Sequence, residues 1–220
     1  MTWVLANLPL LGQYTVAHLL QCLPAVVATF LLAVPLARIA RLSRALRVLL
    51  VSGSSLLYAI PSLALFIVLP LVIGTRVREP LNIVVALTLY GLALLVPACV
   101  DALDSVDADA VDAAAAMGME RVRRFLAVEL PLAGPAILAG LRVVTVSTVS
   151  LTTVGAVLGV RSLGFLFTDG LQRNLGVEVL TGIVLTVALA LALDALVLVG
   201  GRLAMPWTRR AAASAPASGS

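Results

Sequence analysis

The stretch DAAAAMGMERVRRFLAVELPLAG, residues 112–134, is a charged, alanine-rich run of helix formers inside an otherwise strongly apolar chain. Of the 220 residues, 61% are hydrophobic and 12% are charged, and the mean hydropathy is +1.12. Soluble domains carry about 25% charged residues. The composition therefore predicts an integral membrane protein, and residues 112–134 are the main interruption of its apolar pattern.

Uncharged runs on both sides of this stretch are long enough to cross a bilayer as helices, which takes about 20 residues. They show no alternation with a period of two, so a barrel is not expected. The sequence predicts an all-α, polytopic transmembrane protein of about five spans, or six if the second span is split at Pro61. The predicted spans are residues 16–37, a run within 48–74, and residues 80–100, 130–151 and 179–201. The glycine-interrupted residues 154–178 are expected to form a short re-entrant or interfacial piece on the outer side.

The arginines orient these spans. All fifteen basic residues are arginine, and ten of them follow the first, third or fifth span: Arg38, Arg41, Arg44, Arg47, Arg121, Arg123, Arg124, Arg202, Arg209 and Arg210. Four fall on the opposite side: Arg76, Arg78, Arg161 and Arg173. The positive-inside rule then places residues 101–129 and the C-terminus in the cytoplasm and the N-terminus outside. Residues 1–205 are interpreted as a transmembrane domain and residues 206–220 as a disordered cytoplasmic tail.

Residues 101–129 hold ten of the 26 charged residues and are predicted to form two short helices. Asp107 or Asp109 suits the N-cap of the first helix, and Gly118 interrupts it. Three apolar residues at helical spacing then predict an amphipathic second helix: Val122, Phe125 and Leu126. Pro131 is expected in the first turn of the fourth span. Because such short helices are marginal in water, a partner protein or the lipid headgroups should cover them.

This pattern resembles the EAA signature of ABC-importer permeases, in which Glu-Ala-Ala, three residues, Gly, nine residues, an aliphatic, one residue and Leu-Pro form helices that fit a groove in the ATPase subunit. Every spacing matches here, and the one departure is aspartate in place of glutamate at the first position. The matching positions are Asp112, Ala113, Ala114, Gly118, Val128, Leu130 and Pro131.

Four further stretches resemble the small permeases for glycine betaine, choline, carnitine and related osmoprotectants: HLLQCLPAVVATFLLAVPLA, YAIPSLALFIVLPL, ALTLYGLALLVPACVDAL and SLGFLFTDGLQRN. The resemblance implies a MetI-like ABC permease fold in a prokaryotic cell membrane. It also implies a transport subunit that is not itself an enzyme. The implied partners are a cytoplasmic ATPase, an external substrate-binding protein, a second permease copy or homologue, and membrane lipid. A permease for another small solute, such as methionine, is the alternative within this class.

Several polar residues inside the spans are candidates for a role in transport. Tyr58, Ser62 and Tyr90 are candidate pathway residues, since aromatic rings bind quaternary ammonium groups, although such residues also simply pack. Arg142 and Asp194 are ionisable groups within spans four and five and form a candidate ion pair. They also leave open a proton-coupled carrier as an alternative function.

The sequence offers little support for enzymatic chemistry. It contains no zinc-protease, nucleophile-elbow or P-loop motif. His18 stands without metal or base partners, and Cys22 and Cys99 lie in apolar runs. No catalytic residue, metal site, cofactor or nucleic-acid partner is therefore predicted.

Overall fold

The computed structural model describes residues 2–207, and within this range all regular structure is helical. The α-helices are α1 (Thr2–Ala6), α2 (Leu8–Ala40), α3 (Arg44–Ala59), α4 (Ser62–Ile73), α5 (Pro80–Asp104), α6 (Ala108–Ala116), α7 (Arg121–Arg124), α8 (Leu130–Thr152), α9 (Phe165–Gln172) and α10 (Gly176–Ala204). A π-helical turn, Phe125–Glu129, precedes α8, and a 3-10 turn, Thr153–Leu158, follows it. Arg209, Arg210 and residues 208–220 of the predicted tail lie outside the described range.

Four helical segments are long and apolar enough to cross a membrane: α2, α5, the continuous run Arg121–Leu158, and α10. Helices α3 and α4 supply a fifth crossing only as a pair, which is bent by 110°. The all-α fold with five candidate spans agrees with the prediction. The six-span alternative is wrong, because α3 has 16 residues and α4 has 12. At about 1.5 Å per residue, neither helix reaches across about 30 Å of hydrocarbon.

The break between α3 and α4 falls at Pro61. Ile60, the residue before the proline, has an extended backbone (φ −68°, ψ 128°). A proline disfavours the helical conformation in the residue that precedes it and has no N–H to continue the helix. The local sequence therefore explains why the second apolar run becomes two helices.

Helix α5 forms the centre of the molecule and packs against α2, α3, α4 and α8. Residues of α5 belong to both of the larger apolar clusters, including Leu95 and Leu87, which have no exposed surface. Small residues allow this close packing. A Cβ atom on Gly91 would stand 2.3 Å from the Oγ1 atom of Thr29 on α2, so only glycine fits there without a shift.

Helix α10 lies at the periphery and packs against α8 and α9. Its buried residues are Glu178, Gly182 and Leu193, while apolar side chains such as Leu180 and Leu196 are exposed. A helix that is apolar on its outward face suits contact with lipid. The neighbouring α9 has eight residues, too few for a span, in line with the short piece expected between residues 154 and 178.

The amphipathic helix after Gly118 is continuous with the fourth span. Helix α8 begins at Leu130 and has Pro131 in its first turn, as predicted, but no loop separates it from α7. The π turn joins them, and the cap N–H of Leu130 donates to the carbonyl of Phe125. A wider turn at this place accommodates a proline, which would otherwise clash with the carbonyl four residues before it.

Candidate coupling segment and translocation pocket

The first helix of the coupling segment, residues 101–129, has defined signals at both ends. The Asp107 carboxylate accepts from the backbone N–H of Asp109 at 3.0 Å and caps α6. At the other end the N–H of Met119 donates to the Ala114 carbonyl at 3.2 Å, around a residue with a φ of +78°. That residue is Gly118. This arrangement is a Schellman motif, which favours glycine at its left-handed position.

The motif residues divide into exposed and packed positions. Asp112, Ala113 and Gly118 are exposed, Ala114 is buried, and three are partly buried: Val128, Leu130 and Pro131. All seven lie at the same end of the molecule, on α6, the bend, the π turn and the first turn of α8. Helix α6 packs against the π turn, which brings the two halves of the motif together.

The apolar stripe predicted after Gly118 is divided in the structure. Phe125 is 8% exposed and packs into the core, where the Arg38 guanidinium lies 4.8 Å from its ring centroid. Val122 and Leu126 instead are 68% and 56% exposed. The prediction of one shared stripe is wrong because a π turn does not keep the 3.6-residue spacing on which the stripe depends. The coupling segment therefore presents exposed apolar side chains, and Met117 at the bend, 71% exposed, is another.

An ionic cluster that sequence reasoning did not identify lies beside this segment. We call it the Glu129 cluster; it comprises Arg38, Arg41, Arg47, Asp104, Arg124 and Glu129. Arg41 bridges the two acids: its Nη1 atom is 2.7 Å from Glu129 Oε2, and its Nε atom is 2.9 Å from Asp104 Oδ1. At the level of the sequence, Arg38, Arg41 and Arg47 served only to assign membrane topology, and their three-residue spacing gave no sign of these partners.

The three candidate pathway residues lie together. Tyr58, Ser62 and Tyr90 line a single open cavity of about 520 Å³ at the break between α3 and α4. Helix α8 contributes Ser147 and Ser150 to the same cavity. The two tyrosine rings meet edge to face, with centroids 6.1 Å apart, and the Tyr90 hydroxyl donates to the carbonyl of Ile60. The cavity thus combines aromatic surface with hydroxyl groups.

Arg142 on α8 and Asp194 on α10 are in direct contact. Two parallel hydrogen bonds join them, Nε to Oδ1 at 2.8 Å and Nη2 to Oδ2 at 2.7 Å. A bidentate pair of this kind neutralises both charges. The pair therefore links α8 and α10 within the membrane-spanning part of both helices, where an unpaired charge would be costly.

The remaining polar candidates are packed inside the helices. His18 is fully buried, and its Nε2 atom lies 3.1 Å from the carbonyl oxygen of Val149. Cys22 and Cys99 are buried free thiols. Among the described residues, no group of three His, Cys, Asp or Glu side chains is placed to hold a metal ion.

The fold defines a class of protein, a polytopic helical membrane protein with the MetI-like permease architecture. An inward-facing structure of the MetNI methionine ABC transporter superimposes with a TM-score of 0.74, covering 91% of this chain and 97% of that chain at 18% identity. The profile of the family of binding-protein-dependent transport system inner membrane components matches residues 25–204. The chain belongs to this family and is a permease of an ABC importer.

The chain is also similar in sequence to transport permeases from several bacteria. The chain is 31% identical over 195 residues to an osmoprotectant import permease protein of Salmonella typhimurium, covering 87% of this chain and 90% of the relative. It is 32% identical over 158 residues to a choline transport system permease protein of Bacillus subtilis, covering 72% and 66%. It is also 37% identical over 128 residues to an ergothioneine transport permease/ergothioneine binding protein of Helicobacter pylori. That match covers 58% of this chain and 23% of the longer relative.

Proposed function

We propose that this permease imports a quaternary-ammonium osmoprotectant such as choline, glycine betaine or carnitine. The relatives support this substrate class, since choline and ergothioneine both carry a trimethylammonium group. The cavity at the α3–α4 break also supports it, because Tyr58 and Tyr90 present aromatic surface of the kind that attracts a quaternary ammonium ion. The serine hydroxyls of Ser62, Ser147 and Ser150 are then available to a substrate carboxylate or hydroxyl.

The coupling segment is proposed to dock on a separate cytoplasmic ATPase through α6, the Gly118 bend and α7. The observation that carries this proposal is the exposed apolar surface of Met117, Val122 and Leu126, at the Gly118 bend and at the charged start of the run Arg121–Leu158. Such a surface is unfavourable in water and suits a protein groove. An external binding protein delivers the substrate, and a second permease copy or homologue completes the pathway.

The proposed orientation places the coupling segment and the C-terminus in the cytoplasm and the N-terminus outside. The end of the molecule that carries the coupling segment also holds Arg38, Arg41 and Arg47, tied to it through the Glu129 cluster. Arg78 and Arg161 line a common cavity elsewhere, beside α2 and the end of the 3-10 turn. This separation of the arginines supports the positive-inside assignment.

A proton-coupled carrier is less well supported by the geometry. Arg142 and Asp194, the residues that suggested it, satisfy each other through two hydrogen bonds. A proton relay needs a group that gains and loses its proton during transport, and a bidentate arginine partner favours the ionised carboxylate. We therefore assign the pair a role in joining α8 to α10.

Reconstitution tests the proposed transport. The permease, its ATPase and its binding protein are placed in liposomes, and uptake of radiolabelled choline and glycine betaine is measured. We expect uptake that requires ATP and the binding protein. Uptake driven by a proton gradient without ATP would contradict the proposal, and ATP-driven uptake of methionine alone would overturn the substrate assignment.

A matched pair of variants tests the docking surface. Leu126→Asp puts a charge on the proposed docking surface, whereas Leu171→Asp puts the same charge on an equally apolar position of α9, where Leu171 is 76% exposed. We expect Leu126→Asp to abolish copurification of the ATPase and Leu171→Asp to leave it unchanged. Equal copurification of both variants would exclude this surface.

A further inference from the structure

Glu129 is a buried charge at the point where the coupling segment becomes the fourth span. It is 3% exposed, and it ends the π turn directly before Leu130 and Pro131. A buried carboxylate is stable only where cations and hydrogen bonds replace its water. The identity of its partners therefore shows which parts of the molecule must stay together at this point.

The ion-pair partners of Glu129 include residues at the end of α2 and directly after it. Arg38, in the last turn of α2, and Arg41, directly after it, place Nη1 atoms 3.8 Å and 2.7 Å from Glu129 Oε2. Arg41 also binds Asp104, the last residue of α5, and Arg47 of α3 binds the same aspartate. Glu129 is thereby connected to the ends of two spans that are distant from it in sequence.

The backbone at this point is suited to bending. A π turn and a proline in the following turn both weaken the regular hydrogen-bond ladder of a helix, and helices kink at such places. Arg124 lies just before the π turn and Glu129 at its end, with Arg124 Nε 3.8 Å from Glu129 Oε1. The contact between Arg124 and Glu129 therefore joins the two ends of the π turn, where the backbone hydrogen bonding is weakest.

We propose that Glu129 is a positioning residue that makes the coupling segment move as one body with the cytoplasmic ends of α2 and α5. This inference rests on the proposed coupling to an ATPase. Movement of α6 and the Gly118 bend would then shift α2, α5 and α8 together. Without these contacts, the π turn would bend and the movement would not reach the spans. The interaction matters for transport because the spans, not the coupling segment, line the pathway.

The numbers of positive and negative side chains in the Glu129 cluster indicate that loss of one carboxylate charge should weaken the cluster. In the Glu129 cluster four arginines face two carboxylates, so loss of the Glu129 charge removes the carboxylate that Arg38 and Arg124 contact and leaves Arg41 with Asp104 alone. Glu129→Gln keeps the size and removes the charge. The matched control is Glu79→Gln, the same change at a partly exposed residue outside the coupling segment that makes no side-chain cap.

Transport coupling is measured in liposomes that contain the complete transporter. For Glu129→Gln we expect the ATPase to copurify and hydrolyse ATP, while the ATP consumed per substrate imported rises by about fivefold or more, the lower range for coupling between sites. Arg41→Gln, which breaks the bridge from the other side, should have the same effect, and Glu79→Gln should have none. Wild-type coupling in both Glu129→Gln and Arg41→Gln would overturn the proposal.

A distance measurement tests the same inference without relying on transport. Spin labels are attached to Leu42→Cys, beside the end of α2, and Asp109→Cys, on α6, in the assembled complex with Cys22 and Cys99 replaced by alanine. The distance distribution should broaden in Glu129→Gln and stay narrow in Glu79→Gln. An unchanged distribution in Glu129→Gln would overturn the proposal, whereas a wild-type transporter without ATP-driven uptake would instead contradict the proposed function.

Discussion

Gly118 shows how one residue defines the shape of the coupling segment. Its φ of +78° lies in the left-handed region, and no other atom stands within 4 Å of the place where a Cβ would be. The need for glycine within this chain is therefore conformational and does not come from crowding. The Schellman hydrogen bonds around it fix the angle between α6 and α7.

Replacement of Gly118 by valine should disturb the bend and leave the spans intact. A left-handed conformation costs about 1–2 kcal/mol for an L-residue, and a β-branched side chain tolerates it least. We expect Gly118→Val to insert into the membrane normally and to lose ATPase copurification and uptake. Gly118→Asn should retain much of both, because asparagine tolerates this region. Normal uptake in Gly118→Val would count against the docking assignment.

The Arg142–Asp194 pair predicts a distinctive pattern in single and double variants. Asp194→Leu should lower the thermal stability of the purified protein, because Arg142 is left as an unpaired charge between two spans. Arg142→Leu combined with Asp194→Leu should recover most of that stability and keep ATP-driven uptake. If the double variant were stable but inactive, the pair would have a part in transport beyond joining α8 to α10.

At the scale of helices, α5 is the element on which the others assemble. It contacts α2, α3, α4 and α8, whereas α10 is mostly exposed. Gly91 on α5 stands where α2 approaches, and close approach is the main source of stability between helices in lipid. Changes on α5 should therefore affect the fold more than similar changes elsewhere.

Gly91→Ala tests this packing, and Gly53→Ala is its matched control. An added methyl at Gly91 would meet Thr29 Oγ1 at 2.3 Å, whereas nothing lies within 4 Å at Gly53 in α3. Overpacking of this kind costs about 1–3 kcal/mol. We expect Gly91→Ala to lower the thermal unfolding midpoint in detergent and Gly53→Ala to leave it equal or higher. Equal midpoints would show that α2 and α5 adjust freely.

At the scale of the whole molecule, the fold places the coupling segment at one end and the loop before α5 at the other, because α5 connects them as a single helix from Pro80 to Asp104. A helix of 25 residues is about 37 Å long, enough to cross the hydrocarbon core. The two ends must therefore face opposite compartments.

Cysteine labelling in membrane vesicles tests the proposed orientation. Ala116→Cys on the coupling segment should react with a membrane-impermeant maleimide only in inverted vesicles. Val77→Cys, in the loop before α5, should react only in right-side-out vesicles. The native Cys22 and Cys99 are buried and should give little background. The opposite pattern would reverse the topology and exclude cytoplasmic docking.

The sequence was sufficient to predict the membrane class, the five candidate spans, and the two short helices on either side of Gly118. These features depend on local properties of the chain. Hydropathy over about 20 residues identifies a span, Asp107 caps a helix from one turn away, and Gly118 acts through its own backbone. The division of the apolar stripe was missed because the prediction assumed 3.6 residues per turn, whereas Phe125–Glu129 form a π turn with a different spacing.

Only the tertiary structure decided which polar residues meet. Arg41 and Glu129 are 88 residues apart in the chain, Arg142 and Asp194 are 52 apart, and the aromatic cavity needs α3, α4, α5 and α8 together. Sequence spacing shows which side chains share a face of one helix. Which faces of different helices come together is decided by how the helices pack, as at Gly91 and Thr29, and spacing along one helix does not contain that information.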